Sequence, residues 1–258
     1  MEEAGRLEVL AVARPTPRVR RVTFAAPEGF EHWPDQQLKL YFPRGGALRL
    51  PESDADTMRW YQAYLAIPLD RRPWMRSFTV RAATPDTLEI DFVLHDTGGP
   101  AVRWARQAAA GQVVGRYGPS VAYRRALPEA AEYLFAGDET AVPAVTSLLA
   151  ALPSTARAAV VLSVHSEQEE QPLPSAATVE THWVRGGLAE RIAELPLPEV
   201  AWLAGEAGEV RTLRRHLTGR GMAKDQIEFT GYWRRALTQD DPPTNEDLAE
   251  AQERVAGS

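Results

Sequence analysis

Thr87-Leu88-Glu89-Ile90-Asp91-Phe92-Val93-Leu94-His95 runs directly into Asp96-Thr97-Gly98-Gly99-Pro100-Ala101-Val102-Arg103-Trp104-Ala105. The first half alternates with a period of two. Leu88, Ile90, Phe92 and Leu94 fall on one face and Glu89, Asp91 and Val93 on the other, which predicts a strand with one buried side. The glycine pair ends it, and Pro100 opens a helix to about residue 110, where the missing proline N–H is harmless. First-turn N–H groups behind two glycines suit a phosphate, because they are free and the backbone can be approached closely. An ordinary glycine-rich turn looks the same, so these residues alone leave both readings open.

Upstream and downstream of this segment the same β character continues. Residues 7–12, 19–24, 38–42, 75–81 and 112–116 are short runs of aliphatic and aromatic side chains, punctuated by Pro15, Pro17, Pro27, Pro34 and Pro43. With 87–95 they predict a six-stranded antiparallel β-barrel over residues 1–126. The pattern then changes. Apolar runs at 133–136, 158–164, 179–184, 200–204 and 227–230 are interleaved with helical segments at 141–152, 188–195 and 209–217. Such alternation predicts a parallel sheet in an α/β domain over residues 127–239. The remaining 240–258 reads as a tail, helical from Glu246 to Val255 with Asn245 as its cap.

Composition narrows the chemistry. The 258 residues are 44% hydrophobic and 25% charged, with a formal net charge of −6, values of a globular chain with a sizeable core. The acidic balance argues against nucleic acid as a partner. No apolar run reaches the roughly 18 residues that cross a bilayer, and the start, Met1-Glu2-Glu3-Ala4-Gly5-Arg6, lacks the pattern of a secretory signal. A cytoplasmic monomer is the expectation. Cysteine is absent, which excludes thiolate-held iron–sulfur clusters and thiol nucleophiles. The five histidines are scattered without metal-ligand spacing, so no metal centre is expected and redox chemistry would need an organic cofactor.

The most specific short segment is Arg76-Ser77-Phe78-Thr79-Val80-Arg81. Arginine's planar fork suits a pyrophosphate, and an aromatic neighbour can stack on a flat ring. An amphipathic strand with two surface arginines has the same composition. Taken with Asp91-Phe92-Val93-Leu94-His95 and Gly99-Pro100-Ala101-Val102-Arg103-Trp104-Ala105, the segment resembles the siderophore-interacting protein family of FAD-dependent ferric-siderophore reductases, in the ferredoxin-reductase superfamily. Ala136-Gly137-Asp138-Glu139-Thr140-Ala141-Val142-Pro143-Ala144, Trp202-Leu203-Ala204-Gly205-Glu206 and Gly231-Tyr232-Trp233-Arg234-Arg235 resemble further family segments, in order. Phe78 stands where the family usually has tyrosine and Val102 where it has serine.

The resemblance implies FAD held by Arg76, Ser77, Phe78, Thr79, Val93, Leu94, His95, Gly98, Gly99, Pro100, Ala101, Val102 and Trp104. His95 can equally be a structural histidine. Gly137, Asp138, Glu139, Thr140 and Glu206 would border the flavin and nicotinamide, although Asp138 and Glu139 also suit a helix cap. No catalytic acid or base is implied. The acceptor would be a ferric siderophore, an anion, met by Lys39, Arg44, Arg49, Arg234 or Arg235, each of which is also a plausible solvated surface charge. The donor would be NAD(P)H or ferredoxin. No arginine lies between Arg157 and Arg185, and after the second parallel strand an arginine would be wanted for a ribose 2′-phosphate, so NADH is favoured over NADPH. A general flavin reductase and a siderophore-binding protein without reductase activity are the alternatives.

Overall fold

The computed structural model describes residues 4–44, 46–52, 54, 56–95, 98–118, 127–235 and 237. The expected tail helix lies outside the described residues. The chain divides into two compact units. The first comprises residues 1–126 with 142–154 and 165–177; the second comprises 127–141, 155–164 and 178–258.

The first unit is built on a seven-stranded sheet of β1 (Ala4–Thr16), β2 (Val19–Ala25), β3 (Gln37–Phe42), β4 (Trp74–Thr79), β5 (Ala82–Ala83), β6 (Thr87–Val93) and β7 (Val113–Tyr117). Their order is β4-β3-β7-β1-β2-β6-β5, and every pairing is antiparallel. Six strands were expected. The seventh arises because the run 75–81 does not continue as one strand. It pairs with β3 as far as Thr79, turns at Val80 and Arg81, and pairs with β6 from Ala82. Both sheet edges therefore belong to one short segment. Val80 N–H donates to Gln36 O at 2.8 Å and Arg81 N–H to Glu89 O at 2.9 Å, so the sheet curls back on itself.

Inward side chains of alternate positions fill this half-barrel, among them Leu7, Val22, Phe24, Leu40, Phe42, Ile90, Phe92 and Val114. Each such burial contributes about 1.5–3 kcal/mol. Helix α2 (Pro100–Arg106) lays Ala101 and Ala105 on the same core and ends earlier than the expected residue 110. Helix α1 (Thr57–Ala66) was not expected. Its buried Trp60 and Tyr64 pack on Tyr41 and Tyr117, with Trp60 stacked on Tyr117 at 3.7 Å. Met58, Tyr61 and Leu65 on its other side stay exposed, so apolar residues surround the helix and blur its period.

The second unit carries a parallel sheet of β8 (Glu132–Asp138), β9 (Arg157–Ser163), β10 (Thr178–Val184), β11 (Val200–Glu206) and β12 (Ile227–Trp233), in the order β10-β9-β8-β11-β12. Helices α4 (Leu188–Ala193) and α5 (Ala207–Gly219) cover one face through Leu188, Ile192, Val210, Leu213 and Leu217. Helix α3 (Val142–Ala151) follows β8 in the chain and is grouped with the first unit. The strand order reverses at β8, with β9 on one side and β11 on the other. In open parallel sheets that reversal marks the crevice where ligands bind, at the carboxyl ends of the two strands.

Candidate functional site

In the first unit the expected residues gather on β3, β4 and the start of α2. Lys39 on β3 faces Ser77 on β4, and its ammonium donates to Ser77 Oγ at 2.8 Å. Burial lowers the Lys39 pKa from the ordinary lysine value. Arg76 pairs across from Leu40 and donates to Met75 O at 2.7 Å. The Arg44 guanidinium lies 3.5 Å over the Trp74 ring, and that of Arg76 is 5.8 Å from the same ring. Arg44 and Arg76 thus share one indole, while Lys39, next to Leu40 on β3, points to the opposite face of the sheet from Arg76 and Trp74. Arg49 is exposed in the segment between β3 and α1.

Phe78 is half-buried, with its ring 4.5 Å from Phe92 and 6.3 Å from Phe42. Trp104 stacks on Phe24 at 6.2 Å and also touches Phe42 and Phe92. The second arginine of the motif points into a different network. Arg81 lies 3.5 Å from both Asp91 and Glu89, and Asp91 is also gripped by Arg21 at 2.7 and 2.8 Å. Arg81 belongs to the barrel's ion network, where its pKa is lowered by burial first and by Arg21 second.

The turn before α2 is open. Gly99 is the N-cap and has no side chain with which to cap the first amides, and the first turn carries no acid. A Cβ placed on Gly99 would meet nothing within 4 Å. The loop is held from behind instead: Arg103 donates to Gly98 O and Arg106 to His95 O, both at 2.9 Å. Val102 is buried, with Cγ1 against Gly98. Val93 and Leu94 are half-buried at the end of β6 and His95 is exposed.

In the second unit Asp138 organises the carboxyl ends of β8, β11 and β12. Its Oδ1 accepts from Thr140 N–H at 2.8 Å and from Thr140 Oγ1 at 2.5 Å. Its Oδ2 accepts from Glu206 N–H and Trp233 Nε1–H, both at 2.8 Å. Gly205 adopts φ +135°, and a Cβ there would stand 2.6 Å from Asp138 Oδ2. Only glycine leaves the carboxylate its place. Burial raises the Asp138 pKa, opposed by the four hydrogen bonds. Glu206 caps α5 by accepting from Glu209 N–H at 2.9 Å, while its other oxygen accepts from Arg235 N–H at 3.2 Å. Gly137, Asp138, Thr140 and Glu206 therefore lie in one cluster, with Glu139 half-buried beside Asp138, and Arg235, expected instead at the substrate, reaches the cluster through its backbone N–H. Arg234 makes a backbone bridge to Leu237.

Sequence reading passed over Trp74, which no spacing marks. It also passed over a cleft of about 900 Å³ in the first unit whose walls include Arg14, Arg18, Arg106 and His165. No helix among the described residues is long and apolar enough to cross a membrane, and no group of three or more His, Cys, Asp or Glu among them is placed to hold a metal ion.

An antiparallel half-barrel followed along the chain by a parallel α/β unit defines a ferredoxin-reductase-like fold. A ferredoxin reductase from carbazole 1,9a-dioxygenase matches it with a TM-score of 0.67 over 89% of this chain and 69% of that one, at 14% identity. Residues 8–123 match the siderophore-interacting FAD-binding domain, and residues 130–236 match the siderophore-interacting protein model. The chain belongs to the siderophore-interacting protein family. It is 30% identical to the ferric vibriobactin reductase ViuB of Vibrio cholerae over 79% of this chain and 78% of that protein. A siderophore utilization protein from T. fusca aligns with a TM-score of 0.80 and 31% identity, over 92% of this chain and 95% of that one.

Proposed function

We propose that this protein is an FAD-dependent reductase of ferric siderophores. The observation that carries the reading is the acid-free helix start at Gly99 together with the Arg44–Trp74–Arg76 cluster, inside a unit that matches a siderophore-interacting FAD-binding domain. The donor set fits the cofactor. Amides of the Gly99 turn suit a pyrophosphate, Arg76 adds a charge-assisted donor, and a ring can lie beside Phe78. What FAD supplies, when bound, is the exchange of a two-electron donor for one-electron acceptors, so that one hydride equivalent reduces two Fe(III) ions.

The chain's own part is binding and electrostatics. Arg44 and Arg76 give an acidic protein a local positive surface that draws an anionic chelate. Trp74 holds Arg44 in place by stacking. Asp138 and Glu206 keep the ends of β8, β11 and β12 in fixed register, where a reduced nicotinamide nucleotide would dock. NAD(P)H or ferredoxin is the proposed donor.

The test is spectroscopic. Purified protein should be yellow and release FAD on heating. Anaerobic mixing of the reduced protein with a ferric siderophore should reoxidise the flavin and yield Fe(II) trapped by a ferrous chelator. Flavin that stays reduced would refute the assignment.

A further inference from the structure

Helix α1 is apolar on a side it does not bury. Of the eight large hydrophobic side chains exposed among the described residues, four lie between residues 58 and 69: Met58, Tyr61, Leu65 and Leu69. Met58, Tyr61 and Leu65 are spaced three and four apart, which places them in one stripe along the helix. They are 65%, 40% and 42% exposed. Helix α5 has the ordinary arrangement, with Leu213 and Leu217 buried and Thr212 and Arg215 outside.

The stripe is held rigid from behind. Asp56 caps the first turn by accepting from Met58 N–H at 2.9 Å and from Arg59 N–H at 3.0 Å. At the other end Arg72 donates to the carbonyls of Ile67 and Leu65, and Tyr64 Oη donates to Pro73 O at 2.9 Å. Trp60 is stacked on Tyr117 beneath, and the Tyr61 ring lies 6.1 Å from both Trp60 and Tyr64. An aromatic side chain fixed in advance at the centre of an apolar patch loses little freedom on binding, which suits an interface anchor.

The two ends of the helix carry opposite charge. Between residues 52 and 59 the carboxylates Glu52, Asp54 and Asp56 outnumber Arg59; between 66 and 72 Arg71 and Arg72 outnumber Asp70. A second copy of the helix laid antiparallel brings each acidic end beside a basic one and opposes the helix dipoles. A surface of a single sign offers no such match. Reversal also keeps the seam in register: Met58 falls opposite the partner's Leu65, and the two Tyr61 rings meet near the axis. We propose that the protein self-associates through α1 as a two-fold antiparallel dimer, with Met58, Tyr61 and Leu65 as its apolar seam. The same patch serves both copies, as a two-fold contact requires. Three apolar side chains from each copy make a small interface, so the dimer is weak and reversible, forming in the micromolar range. The monomer expected from sequence is then the dilute form.

Sedimentation equilibrium of the full-length, FAD-loaded protein across the micromolar range reads the association. The wild type should dimerise reversibly. Leu65→Glu puts a carboxylate into the seam of each copy and should weaken the dimer about tenfold or more, with an unchanged urea midpoint. The chain has no cysteine, so disulfide formation reads the register. An equimolar mixture of Met58→Cys and Leu65→Cys proteins should cross-link between the two species faster than either variant alone, and faster than Leu10→Cys, at an exposed position on β1. Wild type that stays monomeric throughout the range, or a dimer indifferent to Leu65→Glu, overturns the proposal. So does a mixture that cross-links no faster than either variant alone. Monomer that floats with vesicles of phosphatidylcholine and phosphatidylglycerol, and no longer does so in Leu65→Glu, overturns it in favour of a lipid surface.

Discussion

Trp233 Nε1–H donates to Asp138 Oδ2 at 2.8 Å, joining the last residue of β12 to the last residue of β8 across the intervening β11. With the Glu206 N–H on the same oxygen and Thr140 on the other, the carboxylate is met only by donors. Asp138→Asn puts an NH₂ group where an acceptor is required. The variant should lose about 2 kcal/mol of stability, because a buried donor is left facing a donor. Urea unfolding of FAD-free protein measures this without reference to turnover. An unchanged midpoint would show that the network does not hold the sheet edge.

Around this anchor stand Glu139, Glu206 and Glu209. Glu209 has a raised pKa, from burial first and then from Asp138 and Glu206. A carboxyl whose folded value is raised contributes its stability fully below the ordinary carboxylate range and loses it as pH rises through the raised value. Glu209→Gln should therefore raise the thermal midpoint at pH 8 and make no difference near pH 4. The gain should be under about 1 kcal/mol, since the group is only half-buried. Differential scanning fluorimetry across pH reads both ends; a gain that persists at low pH would assign it to another cause.

The two-part architecture was legible because each half announces its own period. Leu88, Ile90, Phe92 and Leu94 alternate as a strand in the barrel, and the apolar runs after Tyr133 alternate with helices. What escaped has physical reasons. Helix α1 carries apolar side chains on both sides, since Trp60 and Tyr64 go inward while Met58, Tyr61 and Leu65 remain outside. The corner at Val80 and Arg81 is set by closure of the sheet, through Gln36 and Glu89, and no local signal marks it. The contact between Thr16 and Glu169 spans 153 positions, so the cleft lined by Arg14, Arg18 and residues 165–169 is invisible along the chain. The Asp138 cluster was readable as a set, but its role as an anchor depends on Trp233 and on the positive φ of Gly205.

Gly99 offers a separation of cofactor binding from stability. Its φ of −62° is open to any residue, and a Cβ there meets no protein atom within 4 Å. Gly99→Ala should therefore fold, losing no more than about 1 kcal/mol from the poorer N-cap. The added methyl would occupy the space before the α2 amides. FAD dissociation should rise about tenfold or more, equivalent to about 1.4 kcal/mol. Fluorescence titration of apoprotein with FAD checks it, and unchanged affinity would place the cofactor elsewhere.

Arg76 and Arg81 bracket one short segment and should behave oppositely. Arg76 is half-buried on β4, braced on Met75 O beside Trp74. Arg81 turns instead to Asp91 and Glu89, on the face of β6 away from the barrel core. Arg76→Ala should weaken FAD binding by about 1.5–3 kcal/mol, the worth of a charge-assisted hydrogen bond, with little change in unfolding. Arg81→Met should do the reverse. It strips one cation from a buried carboxylate that keeps Arg21 at 2.7 Å, so the barrel should lose about 1–2 kcal/mol while FAD affinity holds. Parallel FAD titration and urea unfolding of the two variants decide the matter. Loss of FAD binding in Arg81→Met at unchanged stability would mean that both arginines reach the cofactor and that the ion network with Asp91 opens when it binds.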